Sequence, residues 1–153
     1  MKTRILQKET AGFTMIELLA VLAIVGVTTA SALPAYHDYI SASETTKASH
    51  AYDIAVQTVR REFSKNTSRM ALGLTSTLPL DEEGWINLFN GSRSGTAADG
   101  GPAYRPGDAP NHEDPPTGAV YVRVHGDHLH LTRNEFNELD TLETKVYADE
   151  TDG

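Results

Sequence analysis

The sequence predicts an α+β protein in which one long N-terminal helix, apolar in its first half and amphipathic in its second, packs on a small antiparallel β-sheet head. Three observations carry this expectation. Phe13 to Tyr36 reads as an apolar run with Glu17 as its only charged residue. After Tyr39 neither Gly nor Pro occurs until Gly73. Toward the C-terminus, Ala119 to His125 and His128 to Thr132 alternate apolar and polar residues on either side of Gly126-Asp127.

The apolar run is about twenty residues long, enough to cross a hydrocarbon core as a helix. Lys2, Arg4 and Lys8 precede it, and none of the residues just after it is basic. The positive-inside bias therefore keeps the N-terminus cytoplasmic and sends the rest of the chain across. A secretory signal ending at Ala32 competes with this reading, because Ala30-Ser31-Ala32 supplies the small residues of a cleavage site. Glu17 argues against it: a carboxylate at the centre of a membrane helix costs about 2 to 3 kcal/mol, and an export signal gains nothing from one.

Beyond the membrane half, Ala48, Tyr52, Ala55, Val56, Val59 and Phe63 recur at the spacing of one helical face. The helix is expected to run from Phe13 to about Lys65, with its second half lying on the sheet. Gly26 and Pro34 fall in the first half. Pro34 has no N–H for the Ala30 carbonyl, so a kink is expected there, with Thr28, Thr29 and Ser31 available to the freed backbone groups. The resulting divisions are 1–12, 13–36, 37–65 and a head over 66–153.

In the head, Asp81 to Asn90 sets Trp85, Leu88 and Phe89 at helical spacing behind an acidic first turn, predicting a short helix with Trp85 as a core anchor. Gly91 to Gly118 is rich in Gly and Pro and reads as a long loop. The two alternating segments form a hairpin with Val120, Val122, Val124, Leu129 and Leu131 facing inward. A further strand is expected over Thr144 to Ala148.

Composition narrows the function. With 153 residues the chain has room for one domain, and the absence of cysteine excludes a disulfide framework, a thiolate nucleophile and Cys-ligated metal. The formal net charge is −8, and removing the first twelve residues, with three basic side chains and one acidic, takes it to about −10. Such a surface disfavours nucleic acid. Arg60, Arg61, Lys65 and Arg69 form the one basic cluster and read first as a solvated helix face. No phosphate-binding glycine loop, nucleophile elbow or acid–base pair is recognisable, so no enzyme and no cofactor are expected. Two metal candidates remain: Asp99, Asp108, Glu113 and Asp114 for calcium, and His125, His128 and His130 for a transition metal. Each reads first as exposed polar surface.

Gly12-Phe13-Thr14-Met15-Ile16-Glu17, followed by Leu18-Leu19-Ala20-Val21, resembles the cleavage and methylation motif of type IV prepilins. Pro34 to Tyr39 resembles type IVa pilins more than the pseudopilins of type II secretion. The resemblance covers roughly the first forty residues. It implies a leader over 1–12, cut between Gly12 and Phe13 by a membrane prepilin peptidase that also methylates Phe13. It further implies an inner-membrane precursor that an assembly platform packs, with identical subunits, into an extracellular filament. Glu17 would guide assembly by pairing with the Phe13 amine, of its own chain or of a neighbour. Gly26 and Pro34 would mark a segment that loosens in the filament. Many type IVa pilins close a C-terminal loop with a disulfide, and this chain has no cysteine to do so. A major pseudopilin and a soluble exported binding protein are the alternatives.

Overall fold

The structure, a computed structural model, describes residues 12–92, 95–111 and 116–148. The chain divides into two compact units, Met1–Tyr39 and Ile40–Gly153. Helix α1 spans Met15–Ala71, α2 Glu82–Ser92, and four strands follow: β1 Tyr104–Pro106, β2 Val120–Val124, β3 His128–Arg133 and β4 Leu142–Tyr147.

Within the second unit, α1 buries Ala48, Tyr52, Ala55, Thr58, Val59 and Phe63. The helix ends six residues later than Lys65. Gly73 adopts φ +72°, Leu74 N–H reaches back to the Arg69 carbonyl at 3.0 Å and Gly73 N–H to Met70 at 2.9 Å. This is the paired hydrogen-bond pattern of a glycine C-cap, which a side chain with Cβ would strain. At the start of α2, Asp81 Oδ1 accepts from Gly84 N–H at 2.9 Å. The acidic residues Glu82 and Glu83 then sit in the first turn, where the helix dipole favours them.

The sheet order is β1-β2-β3-β4. The hairpin β2–β3 and the pair β3–β4 are antiparallel, as the alternation requires. One pair departs from the antiparallel expectation: β1 lies parallel to β2, matching Tyr104 to Val120 and Pro106 to Val122. This strand falls inside the segment that composition reads as loop. It is three residues long and ends in Pro106, too short to show a period and unable to donate from its last residue, which confines it to an edge.

Val120, Val122, Leu129 and Leu131 are fully buried, and Val124 packs partly exposed against the same cluster. Phe63, Trp85, Phe89 and Tyr104 form a run of ring contacts with centroids 5.6, 6.1 and 5.1 Å apart, and Trp85 is 2% exposed. Two polar links tie the helix to the sheet. Tyr52 Oη meets Thr144 Oγ1 on β4 at 2.7 Å, and Tyr104 Oη donates to the Ala51 carbonyl at 3.1 Å.

Beyond Thr132 the inward alternation of β3 continues onto Arg133, a buried cation that the sequence pattern does not announce. Its Nη2 donates to the Asp140 carbonyl at 2.6 Å. Burial draws the guanidinium pKa down, opposed by Tyr52, Asp53 and Asp140.

Candidate functional site: the N-terminal segment

Gly12, Phe13 and Thr14 are irregular, and α1 begins at Met15. The start is fixed by a reciprocal cap. Glu17 Oε2 accepts from the Thr14 backbone N–H and from Thr14 Oγ1, each at 2.8 Å. Thr14 Oγ1 in turn accepts from Glu17 N–H at 3.3 Å. Leu18 N–H bonding the Thr14 carbonyl at 3.2 Å begins the helical ladder. Thr14 is thus the N-cap and Glu17 the third helical residue of a capping box.

Thr14 joins Glu17 in defining the start of the helix, beyond the role expected of Glu17 alone. The signal was present: Thr-x-x-Glu before an apolar run is the capping-box pattern. The carboxylate expected to meet the Phe13 amine is held against the backbone N–H of the next residue. Its negative charge therefore sits at the positive end of the helix dipole.

Gly12 has open space around it: a Cβ there would meet nothing within 4 Å, and the same holds at Gly26. Among the described residues, neither glycine is required by packing. From Phe13 through Val27 the large apolar side chains are all exposed, Phe13 at 86% and Ile16 at 75%. Among the described residues, α1 is the one helix long and apolar enough to cross a membrane, and none of its apolar window is buried. An uncovered surface of this kind is unstable in water and needs lipid or other helices around it.

The helix assignment continues through Pro34. Thr28 Oγ1 bonds the carbonyls of Ile24 and Val25, Thr29 Oγ1 bonds Val25, and Ser31 Oγ bonds Val27. These hydroxyls serve carbonyls upstream of Ala30 rather than the one Pro34 leaves without a donor.

The metal candidates are not gathered. Asp99 pairs with Arg105, which holds its carboxyl below the usual range, while Asp108 pairs with Arg123 at 3.0 Å. Glu113 and Asp114 lie outside the described residues. His128 and His130 share the outward face of β3 as expected, but each turns to its own carboxylate, Asp127 at 2.7 Å and Glu143 at 2.9 Å. His125 stacks on His128 with centroids 4.7 Å apart. No group of three or more His, Cys, Asp or Glu able to hold a metal occurs among the described residues.

Comparison with known proteins points to the same segment. Residues 8–33 match the family model of the prokaryotic N-terminal methylation motif. The type IV major alpha-pilin of Moraxella bovis is 45% identical over 76 residues, covering 43% of this chain and 48% of that protein. Fimbrial protein EcpC of Eikenella corrodens is 54% identical over 37 residues, 24% of each chain. The type IV major fimbrial protein FimA of Dichelobacter nodosus is 58% identical over 33 residues, 22% of this chain and 21% of FimA. The chain spans about half the length of the Moraxella pilin it matches, and no solved structure matches it. The motif match over 8–33 covers the capping box and the first part of the uncovered apolar helix.

Proposed function

We propose that the chain is the structural subunit of an extracellular type IV pilus, made as an inner-membrane precursor and assembled with copies of itself. The observation that carries this is the coincidence of three features. A prokaryotic N-terminal methylation motif over 8–33 leads into a helix whose first half leaves its apolar side chains uncovered. At the start of that helix a carboxylate, Glu17, is fixed by Thr14. The relatives named above are pilins and fimbrial proteins, which favours a pilus over a secretion pseudopilus or an exported binding protein.

In this reading prepilin peptidase cuts between Gly12 and Phe13 and methylates Phe13. The new amine lies one residue before the cap, so the Glu17 carboxylate can pass from Thr14 to the Phe13 amine of the same or an adjoining subunit. An unpaired charge inside an apolar bundle is costly, which makes this pairing a selector of correct docking. Gly26 and Pro34 are the places where the helix yields as the filament forms.

Terminal sequencing of the subunit from filaments sheared off cells tests the reading. The expected result is abundant fibre whose subunit begins at methylated Phe13. Glu17→Ala leaves cleavage and membrane insertion intact and strongly reduces filament yield. A soluble protein beginning at Leu33 refutes the proposal, and normal piliation of Glu17→Ala removes the assembly role.

A further inference from the structure

We propose that the cationic stripe Arg61, Lys65 and Arg69 on α1 docks on the acidic β3–β4 connection, Glu135, Glu138 and Asp140, of a second copy of this chain. The inference rests on the filament reading above. It concerns the heads rather than the N-terminal helix.

Arg61, Lys65 and Arg69 recur every four residues, so they share one helix face; Arg61 and Lys65 are exposed, and Arg69 is half-buried with its Nε out of solvent. Like charges at this spacing destabilise a helix on its own. Among the described residues only Lys65 has an acidic partner, Glu62 at 3.2 Å. Among the described residues, no acidic side chain pairs with Arg61 or Arg69.

The acidic connection is the complementary surface. Glu135, Glu138 and Asp140 are exposed, and none forms an ion pair among the described residues. Their backbone is nonetheless fixed. Phe136 and Leu139 form a bridge, Glu135 N–H donates to Thr141 Oγ1 at 3.0 Å, and Arg133 holds the Asp140 carbonyl. Asn137 Nδ2 anchors the tip on Thr45 Oγ1 at 2.9 Å. A surface held this way loses little entropy on docking.

The placement decides how copies meet. The acidic tip is anchored at Thr45, and the stripe begins at Arg61, sixteen residues further along α1, or about 24 Å at 1.5 Å per residue. Two different patches displaced along one helix make a heterologous, head-to-tail contact, the kind that generates an open helical array when its rotation does not close. Subunits that have lost residues 1–12 carry a net charge of about −10 and repel one another, and this pairing brings the cations against a neighbour's carboxylates.

The test uses the full-length chain expressed as the sole pilin in cells. Arg61→Glu/Lys65→Glu, Glu135→Lys/Glu138→Lys, and the combined fourfold swap are compared for membrane subunit level and sheared filament yield. Each double reversal is expected to lower yield about tenfold or more at unchanged subunit level, and the swap to restore it to within about threefold. A swap that assembles no better than its parents, at normal subunit level, overturns the pairing. So do reversals that assemble normally, including the case where Arg61→Glu/Lys65→Glu filaments lose only binding to duplex DNA, which would assign the stripe to nucleic acid. Absence of filaments from wild-type cells overturns the filament reading and the pairing together. Wild-type filaments with unaffected variants overturn the pairing alone.

Discussion

Replacing Gly118 by alanine should destabilise the head through backbone strain and crowding together. Gly118 stands just before β2 with φ +65°, a region that costs a residue with Cβ about 1 to 2 kcal/mol. The added carbon would lie 3.0 Å from Ala48 Cβ and 3.1 Å from Phe136 Cγ. Both neighbours are themselves buried, at 7% and 3% exposure, so neither can swing aside, and crowding of this kind costs about 1 to 3 kcal/mol. Together the two effects amount to about 2 to 5 kcal/mol. For a unit near a hundred residues, that is a drop of roughly 10 to 25 °C in melting temperature. The assay is thermal unfolding of the detergent-solubilised chain, followed by fluorescence of the buried Trp85. Gly126→Ala serves as the control: it has no left-handed φ and nothing within 4 Å of the added carbon, so it should stay within about 0.5 kcal/mol of wild type. If Gly118→Ala melts with wild type, or falls no further than Gly126→Ala, the packing argument fails.

Other consequences are equally specific. Because a Cβ at position 12 meets nothing, Gly12→Val should leave the head's melting temperature unchanged while uncut precursor accumulates on immunoblots; cleavage at the wild-type rate would contradict the glycine requirement. Thr14→Val removes the capping hydroxyl and should weaken the first turn of α1 by about 1 kcal/mol, with Thr14→Ser restoring it. Amide exchange at residues 15–18 in micelles reads this, and equal protection in Val and Ser variants would argue against the cap. Burial pushes the hydroxyls of Tyr52 and Tyr104 up from their ordinary value. The folded chain then holds these protons more tightly than the unfolded one, so their contribution is intact below about pH 10 and is lost as pH climbs through the raised values. The urea midpoint should therefore fall between about pH 8 and pH 11, and fall less in Tyr52→Phe/Tyr104→Phe. A midpoint equal at both pH values would refute the coupling.

Much of this architecture follows from local pattern. The apolar run, the face of Tyr52, Val59 and Phe63, the acidic turn before Trp85 and the alternation across Gly126-Asp127 are properties of neighbouring residues. Side-chain period and turn chemistry settle them before any long-range contact forms. The capping box belongs with them, since Thr14 and Glu17 are three residues apart and need only each other. Gly73 likewise marks the true end of α1 in the sequence, because the residues from Lys65 to Ala71 contain no helix breaker.

What the sequence could not specify are the arrangements made by residues far apart in the chain. Strand β1 exists because Tyr104 packs on Phe89 and Ala51 and finds Val120 alongside; three residues ending in proline carry no period of their own. The burial of Arg133 depends on β4 and the Asp140 carbonyl closing over the end of β3, and composition alone would leave an arginine on the surface. The candidate calcium ligands Asp99 and Asp108 were separated by Arg105 and Arg123, partners that spacing could not assign. The sequence by itself determined a membrane-length helix with a capped, acidic start and a pilin-like motif. The tertiary structure decided which charged groups pair among the described residues, because an ion pair between distant residues is chosen by geometry and not by order along the chain.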